Sequence, residues 1–512
     1  MGVKSHNPSY ILALDLGTTG NRAFLFDVEG NIVSQSYKEL TQYYPQPGWL
    51  EHDPQAIWQD TCWIMQTVVQ KANIELSQIA AIGLTVQRET CLLWDKNTGQ
   101  PLHNAIVWQD RRTAPLCNQL REQGYAQEIY DRTGLVLDAY FSATKLAWLL
   151  ERVLPNQPQI HLENVLAGTI DSWVLWNLTG RQVHATDHSN ASRTMLMNLT
   201  SLQWDDKLLE LFGIPTHLMP RILPSLGEFG VTDAKLLGAE IPIMAVLGDQ
   251  QASLFGHGCN RPGLMKCTYG TGSFLVAHTG TEIMRSHHQL LSTVAWTQAT
   301  QMGSPQVGYA LEGSMFTTGA CIQWLRDGIK LIQVAGDTER MANQVADNGG
   351  VYFVPALSGL GAPHWDMSAR GAFLGLTGGV RQEHMVRAVL EAIAYQVKEV
   401  VQAMNECSSH EIKRLKADGG ACENNFLMQF QADVLGIPVE RPVIRDTTVW
   451  GVALAAGLAV GFWDNYEMMV SSRPIDRVFE PSLAATPARE NFITWQKALN
   501  RAKNWAEELN LI

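Results

Sequence analysis

Asp15-Leu16-Gly17-Thr18-Thr19-Gly20 sets a carboxylate, hydroxyls and flexible glycines in one short stretch. A nucleoside triphosphate needs that set: backbone N–H groups that approach closely, hydroxyls that donate to phosphate oxygens, and a carboxylate for a magnesium ion. Taken alone, such a turn serves equally as a hairpin connection. Tyr269-Gly270-Thr271-Gly272-Ser273 repeats the chemistry in the other half of the chain, so two hydroxyl-bearing turns could face one another across a cleft. A third turn, Gly419-Gly420-Ala421 with Asn424 shortly after, offers glycine against which a flat adenine or ribose can lie, although a plain strand-to-helix turn explains it as well. Neither GxxxxGK[ST] nor GxGxxG occurs, which argues against a P-loop or a Rossmann turn.

Moving a phosphoryl group onto an alcohol needs a base for the hydroxyl proton and little other covalent help. Asp249 stands at the end of an apolar run, just before QQASLF, where a base could sit and where a helix N-cap is the competing role. Arg88 and Glu89 follow another apolar run; they could pair with vicinal hydroxyls or form a surface salt bridge. Trp108, in IVWQDRR, suits a substrate wall or a core position.

Apolar periodicity supplies the supports for these residues. YILAL, NRAFLFDV and IVSQSY read as three strands of a meander, with DLGTTG and EGN as its turns. A helix is expected from Pro54 to about Ala72, then the strands AAIGLTV and CLLWD, and a helix from Ser142 to Leu154 that stops at Pro155. IPIMAVL delivers Gly248-Asp249-Gln250-Gln251, LMKCTYGTGSFLVAHTG reads as a hairpin, and LKADGGACENNFLMQFQADVL as strand, turn and helix. Each half thus carries a strand, a glycine/threonine turn and a strand.

At 512 residues the chain exceeds what one core sustains, so two domains with a cleft between them are expected, divided near His257 to Pro262. Hydrophobic residues make up 46% and charged residues 17%, an ordinary globular balance. A net charge of −12 argues against nucleic acid or an anionic membrane as the main partner. The eight cysteines form no C-x-x-C pair and read as reduced thiols. Tyr10 to Leu14 is too short for a signal-peptide core, and the longest apolar run, Trp450 to Trp463, falls short of the roughly 20 residues of a membrane span. Its Gly457 and Gly461 are expected to serve close helix packing in a soluble core.

In their order along the chain, DLGTTG, PGWLEHDP, AAIGLTVQRET, NAIVWQDRR, TGLVLDAYFSATK, TDHSNASRTML, GDQQASLFG, TYGTGSF, LEGSMF, GLGAPHWD, RGAFLGLTGG and DGGACENNFLMQFQAD resemble the sugar-kinase family that contains glycerol, xylulose, gluconate and fucose kinases. The likeness runs from about Tyr10 to Asp464, and QRE, AYF and GDQQ match its glycerol branch. It implies an α/β fold of two ribonuclease H-like domains of the actin and hexokinase type, 8–257 and 258–512, closing over ATP, Mg²⁺ and glycerol. It further implies a cytoplasmic enzyme assembled as a dimer or tetramer. Carried over by position, Arg88, Glu89, Tyr140, Asp249 and Gln250 bind the polyol, and Trp108 and Phe274 cover its carbon chain. Asp249 is the implied general base, and Asp15 and Asp249 lie near the metal. Thr18, Thr19, Gly20 and Arg22 meet the terminal phosphates, while Gly270, Thr271, Gly319, Gln323, Gly420, Ala421 and Asn424 surround the rest of ATP.

Two departures qualify these expectations. Glycerol kinases usually read DQGTTSSRA; here Leu16 replaces the Gln and Gly20-Asn21 the Ser-Ser pair, which is expected to remove polar contacts beside phosphate and metal. Where fructose 1,6-bisphosphate-regulated relatives carry Arg before Ile-Pro, this chain has Glu240, which would repel that phosphate. A kinase acting on another polyol, or a non-catalytic actin-like nucleotide switch, remains the alternative; retention of Asp15, Asp249 and both turns counts against the switch.

Overall fold

A computed structural model describes residues 9–300, 303–408, 410–482 and 486–508. The expected meander forms as β1 (Tyr10–Leu16), β2 (Gly20–Phe26) and β3 (Ile32–Glu39), antiparallel throughout. β4 (Ile79–Val86) and β5 (Ile243–Gly248) add in parallel on the other side of β1, giving the order β5-β4-β1-β2-β3. β1 and β4 read as near-continuous apolar runs because both faces of this sheet are covered. On one face lies α1 (Pro54–Ala72), whose start is set by Asp53, accepting from the Gln55 N–H, and by proline in the first turn.

The second sheet repeats the plan and extends it. β6 (Leu264–Tyr269) is central; β7 (Ser273–Gly280), β8 (Leu291–Gln298) and β9 (Gln306–Met315) lie on its antiparallel side. β10 (Arg414–Asp418) and β11 (Val439–Pro442) run parallel on the other side, and β12 (Ile475–Phe479) closes the edge. The order is β8-β9-β7-β6-β10-β11-β12. A four-stranded sheet of Glu51–His52, Ala105–Ile106, Cys91–Asp95 and Val165–Thr169 stands beside the first. The helix expected to reach Leu154 closes at Arg152, and Pro155 lies in the short turn Leu154–Asn156 that follows.

Two helices meet behind the sheets. α2 (Asp249–Gly256) continues directly from β5, and α4 (Thr447–Ala459), which follows α3 (Asn425–Leu435), crosses it at backbone contact. A Cβ on Gly451 would lie 1.8 Å from the Ala252 carbonyl oxygen, and one on Gly256 2.4 Å from that of Thr447, so only glycine fits. This corrects the assignment of Gly457 and Gly461 to helix packing. Gly457 lies under the Trp463 ring, 2.2 Å from where its Cβ would be, and Gly461 turns the chain at φ 71° with open space around it. α4 belongs to the second half of the sequence, yet Val449, Trp450 and Val452 share a core with Ile11, Phe24, Phe26 and Leu247 of the first sheet. All eight cysteines are unpaired, and no helix among the described residues is long and apolar enough to cross a membrane.

Candidate active site

The β1–β2 turn is drawn tight by the Gly17 N–H donating to the Gly20 carbonyl at 3.1 Å, and a Cβ on Gly20 would strike the Tyr37 ring at 2.4 Å. Gln42 Nε2 donates to the Thr18 carbonyl at 2.7 Å, and Trp108 Nε1 to Thr18 Oγ1 at 2.9 Å. Because Thr18 Oγ1 already accepts, its O–H is left to donate outward. The β6–β7 turn is held from behind: the Gly319 N–H donates to the Gly270 carbonyl at 3.0 Å, where a side chain at Gly319 would come within 2.6 Å of that oxygen.

Both turns open into one cavity of about 470 Å³. Of the expected residues, Asp15, Thr18, Thr19, Gly20, Arg22, Arg88, Glu89, Trp108, Tyr140, Asp249, Gln250, Gly270, Thr271, Phe274 and Gln323 line it. Gly319 stands one layer behind. Gly420, Ala421 and Asn424 lie outside the lining; Gly420 faces open space, whereas Asn424 caps α3 by accepting from the Leu427 N–H at 2.9 Å and donates to Thr338 Oγ1 at 3.1 Å. The strand-to-helix role is therefore realised at Asn424. Leu16 is wholly buried in the core of the first sheet and lies outside the cavity lining.

Arg88 and Glu89 are buried, and the surface salt bridge is ruled out. Arg88 Nη1 donates to Glu312 Oε2 at 2.6 Å and Nη2 to Oε1 at 3.0 Å, while Arg193 donates to Glu89 Oε1 at 2.7 Å and Glu312 Oε1 at 3.0 Å. Burial alone would raise the Glu312 carboxyl, but Arg193 and Arg88 hold it down at about 2; burial prevails at Glu89 and keeps its carboxyl above the ordinary value. Glu89 adopts φ 61°, a left-handed backbone that costs energy in a non-glycine residue and marks functional sites. Trp108 packs edge-on against Tyr140 and Phe274, with ring centroids 5.5 and 5.9 Å apart, and makes an aromatic wall opposite the carboxylates.

Asp249 opens α2 and also faces the cavity, so its helix-terminal and chemical roles coincide. Its Oδ1 accepts from the Gln250 N–H at 2.8 Å and lies 3.1 Å from Arg88 Nε; its Oδ2 accepts from Gln250 Nε2 at 3.0 Å. Arg22 pairs with Asp446 at 2.8 Å. Burial pushes the Asp15 carboxyl up to about 7 against the pull of Arg22, with Asp249 and Asp446 adding to the rise. Among the described residues no three His, Cys, Asp or Glu side chains converge to hold a metal ion.

Glu312 and Arg193 were not singled out from sequence. An acid inside the apolar strand YALEGSM was the available signal for Glu312. Gln42, Tyr44, Gln109, Thr268 and Thr448 also line the cavity, and only Thr268 stands beside a recognised turn.

The FGGY family of carbohydrate kinases matches with its N-terminal domain over residues 10–256 and its C-terminal domain over 265–460. A glycerol kinase of Nostoc sp. is 72% identical over 496 residues, covering 97% of this chain and 98% of that one. One of Trichormus variabilis is 70% identical over 503 residues, covering 98% and 100%. The crystal structure of Plasmodium falciparum glycerol kinase with ADP superposes with a TM-score of 0.88 at 34% identity, covering 96% of this chain and 98% of that one. A xylulose kinase of Lactobacillus acidophilus, TM-score 0.86 at 23% identity over 96% and 98%, shares the fold.

Proposed function

Since the chain belongs to the FGGY family of carbohydrate kinases, we propose that it transfers the γ-phosphoryl group of ATP to glycerol, giving sn-glycerol 3-phosphate. One juxtaposition carries the reading at the level of residues: Asp249 shares a single cavity with Asp15 and both glycine/threonine turns. Phosphoryl transfer asks the protein mainly for positioning and electrostatics, and this cavity offers both.

The hydroxyls of Thr18, Thr19 and Thr271 and the turn backbones donate to phosphate oxygens. Magnesium, when bound, neutralises phosphate charge, and Asp15 with Asp249 would hold it. Glu89 Oε2, which no donor among the described residues occupies, accepts from a glycerol hydroxyl, while Trp108 and Phe274 pack the thin carbon edge. Asp249 Oδ2 accepts the proton of the attacking hydroxyl as the O–P bond forms and the bond to the ADP leaving oxygen breaks. Exclusion of water as a competing acceptor follows from closure of the halves 8–257 and 258–512 on the substrates. Gly420 and Ala421, with open space beside Gly420, are assigned to the adenosine end on the family resemblance. The same resemblance supports a cytoplasmic dimer or tetramer, which sedimentation of the purified chain would test.

The aromatic wall of Trp108, Tyr140 and Phe274 favours glycerol over a pentulose or gluconate. Purified protein given MgATP and glycerol, dihydroxyacetone, erythritol, xylulose and gluconate should turn over glycerol fastest; ADP release without acceptor preference would sink the assignment. Asp249→Asn should lower kcat by about 10²–10⁴-fold while leaving ATP binding by calorimetry near wild type. Glu240 is exposed, and fructose 1,6-bisphosphate is expected not to inhibit.

A further inference from the structure

We propose that Lys266 is a positioning residue for this transfer: from the second sheet, its ammonium fixes the Gln250 amide so that Gln250 donates to the Asp249 carboxylate. The inference rests on Asp249 as acceptor of the glycerol proton.

Lys266 is wholly buried on β6 and lies outside the cavity lining. Its Nζ donates to Gln250 Oε1 and, at 2.8 Å, to Thr268 Oγ1. An ammonium has donors and no acceptor, so the amide atom facing it must be the carbonyl oxygen. Gln250 Nε2 is thereby committed to the other side, where it meets Asp249 Oδ2 at 3.0 Å. Oδ1 is occupied by the Gln250 N–H and lies beside Arg88, so Oδ2, with one donor, is the oxygen with room to accept a proton. Without the ammonium the Gln250 amide is free to rotate and set its own oxygen against Oδ2, which repels the carboxylate from its working position.

Nothing in the strand plan calls for a lysine here. Ala13, two residues before Asp15 on β1, takes the place that Lys266 takes two residues before Thr268 on β6, and Ala13 is plain core. A buried ammonium is costly unless paired. Burial lowers the Lys266 ammonium below the ordinary lysine value, and Asp418 on the neighbouring strand, Asp249 on α2 and Glu312 on β9 offset part of that cost.

Steady-state kinetics of the full chain test the proposal. Lys266→Met should lower kcat by about tenfold to a hundredfold, with KM for glycerol and for MgATP changed by less than about twofold. Lys266→Arg, which keeps charge and donors, should recover part of the loss. In a Gln250→Ala background, Lys266→Met should cost less than about threefold more, because the relay is already cut. A Lys266→Met kcat within about twofold of wild type, or equal losses in both backgrounds, would overturn the inference. Should the methionine variant lack a cooperative thermal transition, Lys266→Gln, a neutral polar occupant of the same slot, carries the same two outcomes. An inactive Asp249→Asn beside a fully active Lys266→Met defeats the relay alone, whereas a wild-type chain that makes no glycerol phosphate defeats both readings.

Discussion

β1 and β6 hold the same place in their sheets and end in the same kind of turn, yet carboxylate and hydroxyl are exchanged between them and the neighbouring strand. Asp15 on β1 stands in register with Thr85 on β4, whereas Thr268 on β6 stands in register with Asp418 on β10. Asp15 faces the cavity, and burial lifts its carboxyl to about 7. Asp418 is buried behind its turn: Oδ2 accepts from Ser253 at 2.9 Å, from Thr447, and pairs with His257 at 3.1 Å. Burial alone would raise that carboxyl, but His257 and Lys266 hold it well below the carboxylate range. Moving the acid by one strand turns a group that faces the cavity into a joint between β10, α2 and α4.

The largest effects should separate those two carboxylates. Asp418→Asn leaves the Ser253, His257 and Thr447 donors facing an amide and should cost about 3–5 kcal/mol in urea unfolding. Asp15→Asn should cost no stability in metal-free buffer and yet lower kcat by about 10²–10³-fold, the scale of one lost electrostatic stabiliser. The reverse ranking in unfolding would break the comparison.

Glu312 sharpens it, because this acid of the second sheet is compensated by the first half of the chain. Its folded pKa falls from 4.5 to about 2, so its stabilisation is complete above pH 4.5 and is lost as pH falls toward 2. Glu312→Gln should therefore be less stable than wild type at pH 7 by about 3 kcal/mol, with the gap closing through that acid window in pH-dependent melting. Glu89, held above its ordinary value, titrates above this window and leaves the sign unchanged. A gap that stays constant with pH would show that Glu312 draws no stability from Arg88 and Arg193.

The smallest effect belongs to Leu16. Leu16→Gln restores the residue usual in the resembling kinases but buries an amide in the first core, and should cost about 1–3 kcal/mol of stability. The KM for MgATP should change by less than about twofold, as checked by a coupled ADP assay. A marked gain in nucleotide affinity would show that residue 16 reaches the phosphates.

The strands around both turns were legible because alternation and glycine are local signals, and Asp15, Thr18, Asp249 and Thr271 were legible because each ends or follows an apolar run. Arg88 was found, but not its partner: Glu312 lies 224 residues away, and no local pattern records such a pairing. Leu16 adjoins the phosphate turn in sequence, and strand alternation sends its side chain into the core. Gly457 and Gly461 carried the small-residue spacing, but the helix crossing used Gly451 and Gly256, since the choice depends on which face of α4 meets α2.

By itself the sequence determined the elements, the two phosphate turns and the acids beside them, because backbone geometry and apolar period are written within a few residues of each. Only the tertiary structure decided which acids stay unsatisfied. Whether Asp15, Asp418 or Glu312 awaits a ligand or closes a joint depends on which cations and hydroxyls distant strands bring within about 3 Å, where burial multiplies the worth of each contact.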